Sequence, residues 1–323
     1  MTVEVAQNRL RTAVKVGLGF VPLIDATPLI ATHELGYFAA EGLDVTLHRE
    51  LGWANVRDKL AFGRLNAAHA LLGLPVKSAI DGHETDGVTN VMALGHGGDA
   101  ITLSRQLVSA GVDSAVTLGR YVRHGRLERP LTFAHVFDSS VHHYLLRDWL
   151  ASGEIDPDRD VRLCVLPPMQ LPAHLAAGQI DGYCVGEPWN TTADLNGSGR
   201  IVALTADLVP QHPDKVLAVN NRWAAENTAA AVAMIRAVIR GSAFCSDPDN
   251  IKQLAAWLSR PIYLDAPAST IEASLKLDRN FVSPRAAPHL RPRDWRMRSF
   301  ERNLPEPHAS RVARDADAAV VPR

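Results

Sequence analysis

Apolar and polar residues alternate with a period of two over Val14–Phe20 and again over Leu43–Leu47, the spacing of half-buried strands. Between them Leu29, Ile30, Leu35 and Phe38 recur at helical spacing, which predicts one helix over Pro28–Ala40 stopped by Gly42. Gly52-Trp53 reads as a turn and Asn55 as the cap of a helix over Val56–Phe62. Asn66–Leu72 supplies a third strand. The first 72 residues therefore read β-α-β-α-β, the order of a parallel sheet.

A second series follows. Val88–Leu94 and Ala100–Leu103 read as strands on either side of the bend Gly95-His96-Gly97-Gly98. Arg129–Phe133, Val161–Leu166, Asp181–Val185 and Ile201–Leu204 add strands. Ser139–Leu150 and Met169–Ala177 add helices, the first with Leu145, Leu146 and Trp149 as core contacts. After a strand at Val216–Val219 the chain turns helical over Ala224–Phe244, Asn250–Leu258 and Ala268–Leu277. From about Arg291 it is crowded with Arg, Pro, Asp and Ala, and a loosely attached tail is expected. At 323 residues the chain exceeds the ~250–300 at which one hydrophobic core stops growing, so two lobes are expected. The predicted division is residues 1–100 plus 212–323 in one lobe and 101–211 in the other.

Charge and motifs narrow the chemistry. A formal net charge of −1 gives no global field for nucleic acid or acidic membranes. Cys164, Cys184 and Cys245 are widely spaced and odd in number, which argues against a disulfide framework or a thiolate metal site. There is no P-loop, no His-Glu-x-x-His and no Gly-x-Ser-x-Gly, so the reading is not of an enzyme. His135, Asp138, His142 and His143 pass from a strand end into a helix, a poor spacing for a metal, and no metal or cofactor is expected. No run of about 18 apolar residues is evident, so no membrane-spanning segment is expected. The opening residues MTVEVAQNRLRTA hold neither an apolar leader core nor a lipoprotein-type cysteine, from which a cytoplasmic location is expected. The alternative is an exported or membrane-associated protein whose leader is missing from this sequence.

The strand Asp181–Val185 runs straight into Gly186-Glu187-Pro188-Trp189-Asn190, which has to turn outward at the strand's carboxyl end, where open α/β sheets bind ligands. Other blocks accompany it. They are Phe20-Val21-Pro22-Leu23-Ile24-Asp25-Ala26-Thr27-Pro28, Glu34-Leu35-Gly36-Tyr37-Phe38, Trp53-Ala54-Asn55-Val56-Arg57-Asp58, Gly63 to His69, Leu146-Arg147-Asp148-Trp149, and His212-Pro213-Asp214-Lys215. Together, over roughly residues 14–275, the chain resembles the nitrate/bicarbonate substrate-binding proteins of ABC transporters. The resemblance implies a type II periplasmic-binding-protein-like fold, with two α/β lobes, a hinge and a ligand cleft. With no leader evident, it points most closely to the cytoplasmic nitrate/nitrite-sensor branch. That branch would have a small inorganic anion as ligand and a regulator protein of the antiterminator type as partner. The alternative partner is an ABC permease.

The same resemblance supplies an expected anion site. Lys215 is similar to the family's anion-pairing lysine, and His142 to its site histidine at a helix start, where free N–H groups attract anions. Trp53 would wall the cleft with an apolar face and one N–H donor. Gly98, Val141, Gly186, Glu187, Pro188 and Trp189 would shape it. Asp99 stands where the family usually carries an amide, and Val141 where a hydroxyl is usual; each removes a donor. An ionised Asp99 about 4 Å from an anion would be repelled by about 4 kcal/mol at an effective dielectric of 20. So Asp99 is expected to point away, to carry a proton, or to mark a changed ligand.

Overall fold

A computed structural model of the chain describes residues 13–80, 87–125 and 127–277. The opening residues up to Thr12 and the tail from Arg291, both read above, lie outside the described residues.

Two five-stranded sheets carry the fold. The first contains β1 (Val14–Phe20), β2 (Leu43–Arg49), β3 (Ala67–Leu71), β4 (Val88–Ala93) and, far along the chain, β10 (Lys215–Asn220), in the order β2-β1-β3-β10-β4. The second contains β5 (Asp99–Ser104), β6 (Leu131–His135), β7 (Val161–Val165), β8 (Gly182–Gly186) and β9 (Gly199–Leu204), in the order β7-β6-β8-β5-β9. In each sheet four strands run the same way and one incoming strand is antiparallel to both neighbours. That strand is β10 between β3 and β4 in the first sheet, and β5 between β8 and β9 in the second. The fold is a two-lobe α/β arrangement of the periplasmic-binding-protein type.

The chain crosses between the sheets just before β5 and just before β10. The two crossing segments are tied to each other: His96 bridges Pro213, Gly97 N–H donates to the His212 carbonyl at 2.9 Å, and Leu94 N–H donates to the Lys215 carbonyl at 2.8 Å. Gly97 and Gly98 lie at φ 66° and 91°, a region open mainly to glycine, which explains this bend's composition.

The helices are α1 (Thr27–Glu34), α2 (Tyr37–Ala40), α3 (Trp53–Ala61), α4 (Leu74–Ile80), α5 (Arg105–Ser109), α6 (Ala115–His124) and α7 (Val141–Ser152), followed by α8 (Leu171–Ala176), α9 (Trp189–Leu195), α10 (Thr205–Leu208), α11 (Asn221–Glu226), α12 (Thr228–Cys245), α13 (Ile251–Leu258) and α14 (Ala268–Leu277). Several differ from the sequence reading. The single helix over Pro28–Ala40 is broken, because Gly36 adopts φ 69° and starts α2 afresh. The helical run Ala224–Phe244 divides at Asn227, whose φ and ψ of −130° and 41° are not helical. Trp53 is not in a turn: it is the first residue of α3, and extended Gly52, not Asn55, holds the cap position. Helix α6 was not anticipated, although Ser114 and Thr117 form a capping box at its start.

The absence of a long apolar helix also needs correction. Among the described residues α12 is long and apolar enough to cross a membrane, but half of it is buried inside the protein. Its Ala233, Met234, Ala237 and Val238 share a core cluster with Val16, Leu18 and Leu29 of β1 and α1. Packing there is close: a Cβ on Gly241 would lie 1.9 Å from Thr32 Oγ1 and 2.7 Å from the Pro28 carbonyl oxygen. Gly241→Ala is therefore expected to push α12 off α1 and to destabilise the fold by about 1–3 kcal/mol, the usual cost of overpacking, read as a lower urea midpoint at unchanged slope.

Candidate functional site

The carboxyl ends of β1, β3 and β8 and the entry points of β5 and β10 converge. Lys215 is the first residue of β10, and Asp99 is the first of β5, paired across the ladder with Gly186 at the end of β8. Each crossing strand thus delivers a charged side chain as it enters its sheet. His142 arrives on the first turn of α7, whose cap is the Ser140 hydroxyl accepting from His143 N–H at 3.1 Å. Trp53 arrives at the start of α3. The four residues expected at an anion site, Lys215, His142, Trp53 and Asp99, are brought together, and all four are buried.

The ammonium of Lys215 is completely buried and closely surrounded. Its Nζ lies 3.0 Å from Asp25 Oδ2, 3.4 Å from Asp99 Oδ1 and 3.3 Å from His142 Nε2, and it is in direct contact with the Asp214 carboxylate. The Trp53 ring centre is 5.8 Å away, within cation–π range. His142 Nε2 is 2.9 Å from Asp99 Oδ1. Asp25 is held from behind by His69, whose Nε2 is 2.7 Å from Oδ1, while His69 Nδ1 accepts from Val21 N–H at 3.4 Å. That fixes His69 with its proton on Nε2.

Burial disfavours every charge here, and the neighbours decide which survive. Burial alone would lower Lys215, but Asp214, Asp25 and Asp99 hold it well above its ordinary value. Burial opposes ionisation of Asp25, yet Lys215 and His69 outweigh it and keep its carboxyl well below the usual range. Asp99 is raised, chiefly by burial, despite the opposing charge of Lys215. Asp214 is raised to about 6 by burial and by Asp99. His142 is lowered to about 3, first by burial and then by Lys215. The fixed charges are therefore Lys215 and Asp25, with His142 neutral; Asp99 and Asp214 form a coupled pair that ionises reluctantly.

Several polar atoms at this junction have no hydrogen-bond partner among the protein atoms: Trp53 Nε1, His142 Nδ1, Asp99 Oδ2, Asp214 Oδ1 and Ser139 Oγ. Buried orphans of this kind are few in native proteins, so a concentration of them at one junction calls for a partner such as water or an ion. Trp53 Nε1 is a pure donor and suits an anion.

The remaining expected residues surround this centre. A Cβ on Gly186 would stand 3.2 Å from both Asp25 Oδ2 and Asp99 Oδ1, so the missing side chain gives the two carboxylates their room. Glu187 bonds backbone, accepting from Thr191 N–H at 3.0 Å, and its own carbonyl accepts from Ile24 N–H at 2.7 Å. Glu187 and Pro188 are joined by a cis peptide bond. Trp189 Nε1 donates to the Pro22 carbonyl at 3.0 Å, docking this segment on the loop after β1. Gly98 lies in the crossing bend, and half-buried Val141 opens α7 beside His142. Asp25, His69 and Asp214 were not expected in the site. Asp25 and Asp214 do lie within the blocks that carried the resemblance, and Asp214 adjoins Lys215.

Two groups hold donor atoms close enough for a metal. One is Asp99, His142 and Asp214, but the Lys215 ammonium already occupies the cation's place among them. The other is His135, Asp138 and His143. There the imidazoles stack at 4.2 Å with planes 16° apart, so their lone pairs run side by side rather than converging, and His143 Nδ1 is engaged with the Asp138 carbonyl at 2.8 Å.

Over residues 11–259 the chain matches the NMT1-like family. The chain belongs to that family. It is 38% identical over 266 residues to the bicarbonate transport ATP-binding protein CmpC of Synechocystis, covering 81% of this chain and 40% of CmpC. It is 31% identical to the nitrate/nitrite binding protein NrtA of Synechococcus elongatus, covering 91% of this chain and 68% of NrtA. Its structure matches the periplasmic nitrate-binding protein NrtA of Synechocystis with a TM-score of 0.76 at 27% identity, covering 81% of this chain and 70% of that one. The chain thus spans about two fifths of CmpC and about two thirds of the NrtA proteins. The resemblance to the nitrate/bicarbonate substrate-binding family drawn from the motif blocks holds. Its relatives named here are components of transport systems, not metabolic enzymes.

Replacing Lys215 by Met would leave three buried carboxylates without their cation, which is expected to cost about 3–5 kcal/mol. The loss has a pH signature. Without the ammonium, carboxyls that already ionise reluctantly are raised further in the folded state, so they favour folding below the unfolded pKa near 4 and oppose it as pH rises. Urea unfolding of Lys215→Met is expected to show a deficit that grows from pH 4.5 to pH 7.5; a deficit constant over that range would contradict the charge assignment.

Proposed function

We propose that the protein binds a small oxyanion of the nitrate, nitrite or bicarbonate class and serves as the substrate-binding part of an ABC import system. The observation that carries this reading is the buried ammonium of Lys215 at the junction of the two crossing strands, with the unpartnered indole N–H of Trp53 and the imidazole of His142 beside it. Charge-assisted hydrogen bonds in a dry site are the strong kind, and a fixed ammonium with N–H donors is what a small anion requires. Membership of a family with nitrate-binding relatives supports the choice of ligand. In this reading the described residues up to 100, with 212–277, form one lobe and 101–211 the other, and the lobes hinge at the two crossing segments. The partner is then a permease, and the setting is that of an exported receptor.

A second reading is a cytoplasmic sensor that controls an antiterminator-type regulator of nitrate assimilation. What keeps it open is that the chain is 38% identical to CmpC and 35% to the nitrate import ATP-binding protein NrtC of Synechocystis, proteins not named as free-standing binding proteins, against 31% to NrtA. This chain has no P-loop, so the part it shares with those proteins is not their nucleotide site. Co-purification of partners with and without nitrate separates the readings: a permease supports the first, and a regulator released by nitrate supports the second.

Calorimetric titration with nitrate, nitrite and bicarbonate tests the ligand. Micromolar binding, about 8 kcal/mol, is expected for at least one of them. Lys215→Ala, checked for folding by circular dichroism, is expected to weaken it at least tenfold, about 1.4 kcal/mol. Silence toward all three, or binding indifferent to that substitution, would refute the proposal.

A further inference from the structure

We infer that an anion enters this site together with a proton, which is stored on the carboxyl pair Asp99–Asp214. The inference rests on the anion-binding reading above and adds a rule for how that site works.

The geometry sets the requirement. Three carboxylates, those of Asp25, Asp99 and Asp214, contact a single ammonium, and every one of them is buried. Around them stand Trp53 from α3, His69 from β3, His142 from α7, Gly186 and Cys184 from β8, and His96 and His212 from the crossing segments. Lys215 is the group in contact with all three carboxylates. His142 is held neutral, and His69 sits behind Asp25 rather than beside Lys215. Bringing an anion into contact with Lys215 while all three carboxylates stayed ionised would set four negative groups against one positive group in a dry site. Buried like charges are not tolerated in this way; one group takes up a proton instead.

The structure shows which groups yield. Asp25 is bound by both Lys215 and His69 and stays ionised. Asp99 and Asp214 share the one ammonium, and each keeps one oxygen without a partner. Such a pair titrates as a unit, so the proton belongs to both. A protonated carboxyl also gains an O–H donor where an ionised one offers only acceptors. The incoming proton therefore removes a repulsion and supplies a hydrogen bond to the ligand. Nitrate carries no proton, so its proton comes from solvent: one nitrate and one hydron enter, and both leave on release. Bicarbonate carries an O–H of its own to offer an ionised Asp99, so it binds without drawing a hydron from solvent.

Titration calorimetry of the full chain with nitrate at pH 6, 7 and 8, in pairs of buffers with different ionisation enthalpies, counts the protons. The expected result is uptake of about one proton per nitrate at pH 7–8, with affinity falling about tenfold from pH 7 to pH 8. Asp99→Asn keeps the shape and abolishes the pair. It is expected to bring uptake near zero and to flatten the pH dependence, with nitrate bound more tightly than by wild type at pH 8. The bicarbonate arm is expected to show no uptake at pH 8. Nitrate binding by the wild type with no proton uptake and no pH slope would overturn the inference and leave the anion-binding reading standing. Absence of binding by both wild type and Asp99→Asn at every pH would overturn both.

Discussion

The ammonium of Lys215, held dry among three carboxylates, is the interaction on which the rest of this structure turns. Taking an ammonium out of water is costly, and the cost is recovered only if counter-charges are close and correctly placed. Here they come from opposite parts of the chain. Asp25 belongs to the loop after β1, Asp214 is the sequence neighbour of Lys215, and Asp99 opens the second sheet. Asp25, Asp214 and Lys215 lie with the first sheet, and Asp99 and His142 complete the cluster from the second, so it spans the seam between the two sheets.

Topology explains why the charges meet. In each sheet the parallel strands point their carboxyl ends at the same junction, and the strand arriving from the other half is inserted antiparallel beside them. An antiparallel strand begins where its parallel neighbours end. The first residues of β5 and β10, Asp99 and Lys215, are therefore placed at the carboxyl end of each sheet's parallel strands with no loop to position them. Rigid strand ends fix geometry better than loops do. Glycine completes the arrangement at Gly186, where a Cβ would press on Asp25 and Asp99, and at Gly73, where one would stand 2.3 Å from the Ser139 carbonyl oxygen.

Much of this was legible in the chain. The alternating runs gave the strands to within a residue or two, and the strand-to-turn step at Gly186 does end a strand beside Asp99. Lys215, His142, Trp53 and Asp99 do converge. What stayed hidden has physical causes. Trp53 read as a turn because Gly52 precedes it, whereas an extended glycine at a cap position starts a helix equally well. Asp25 and His69 were missed because their roles depend on each other: the acid needs the imidazole behind it, and the two are far apart in sequence. Asp214 was hidden by its neighbour, since a lysine beside an aspartate reads as a solvated pair until both prove buried. The ion cluster is a property of the crossing topology, which no local pattern encodes.

The two halves are also joined by contacts outside the cluster. Ile24 N–H meets the Glu187 carbonyl, Trp189 Nε1 meets the Pro22 carbonyl, and the Arg57 guanidinium lies 5.6 Å over the Phe137 ring. Each hydrogen bond of this kind contributes about 1 kcal/mol net. An apolar cluster runs through both sheets, from Trp53, Leu71 and Val216 in the first to Ala134, Tyr183 and Val185 in the second. These terms favour closing whatever the charge at the centre. The cluster's excess of carboxylates acts the other way, because surplus negative charge is better solvated by water than by protein. The junction is then a balance between packing that holds the two sheets together and a charged centre that prefers to be wet, and whatever neutralises that centre favours the packed arrangement.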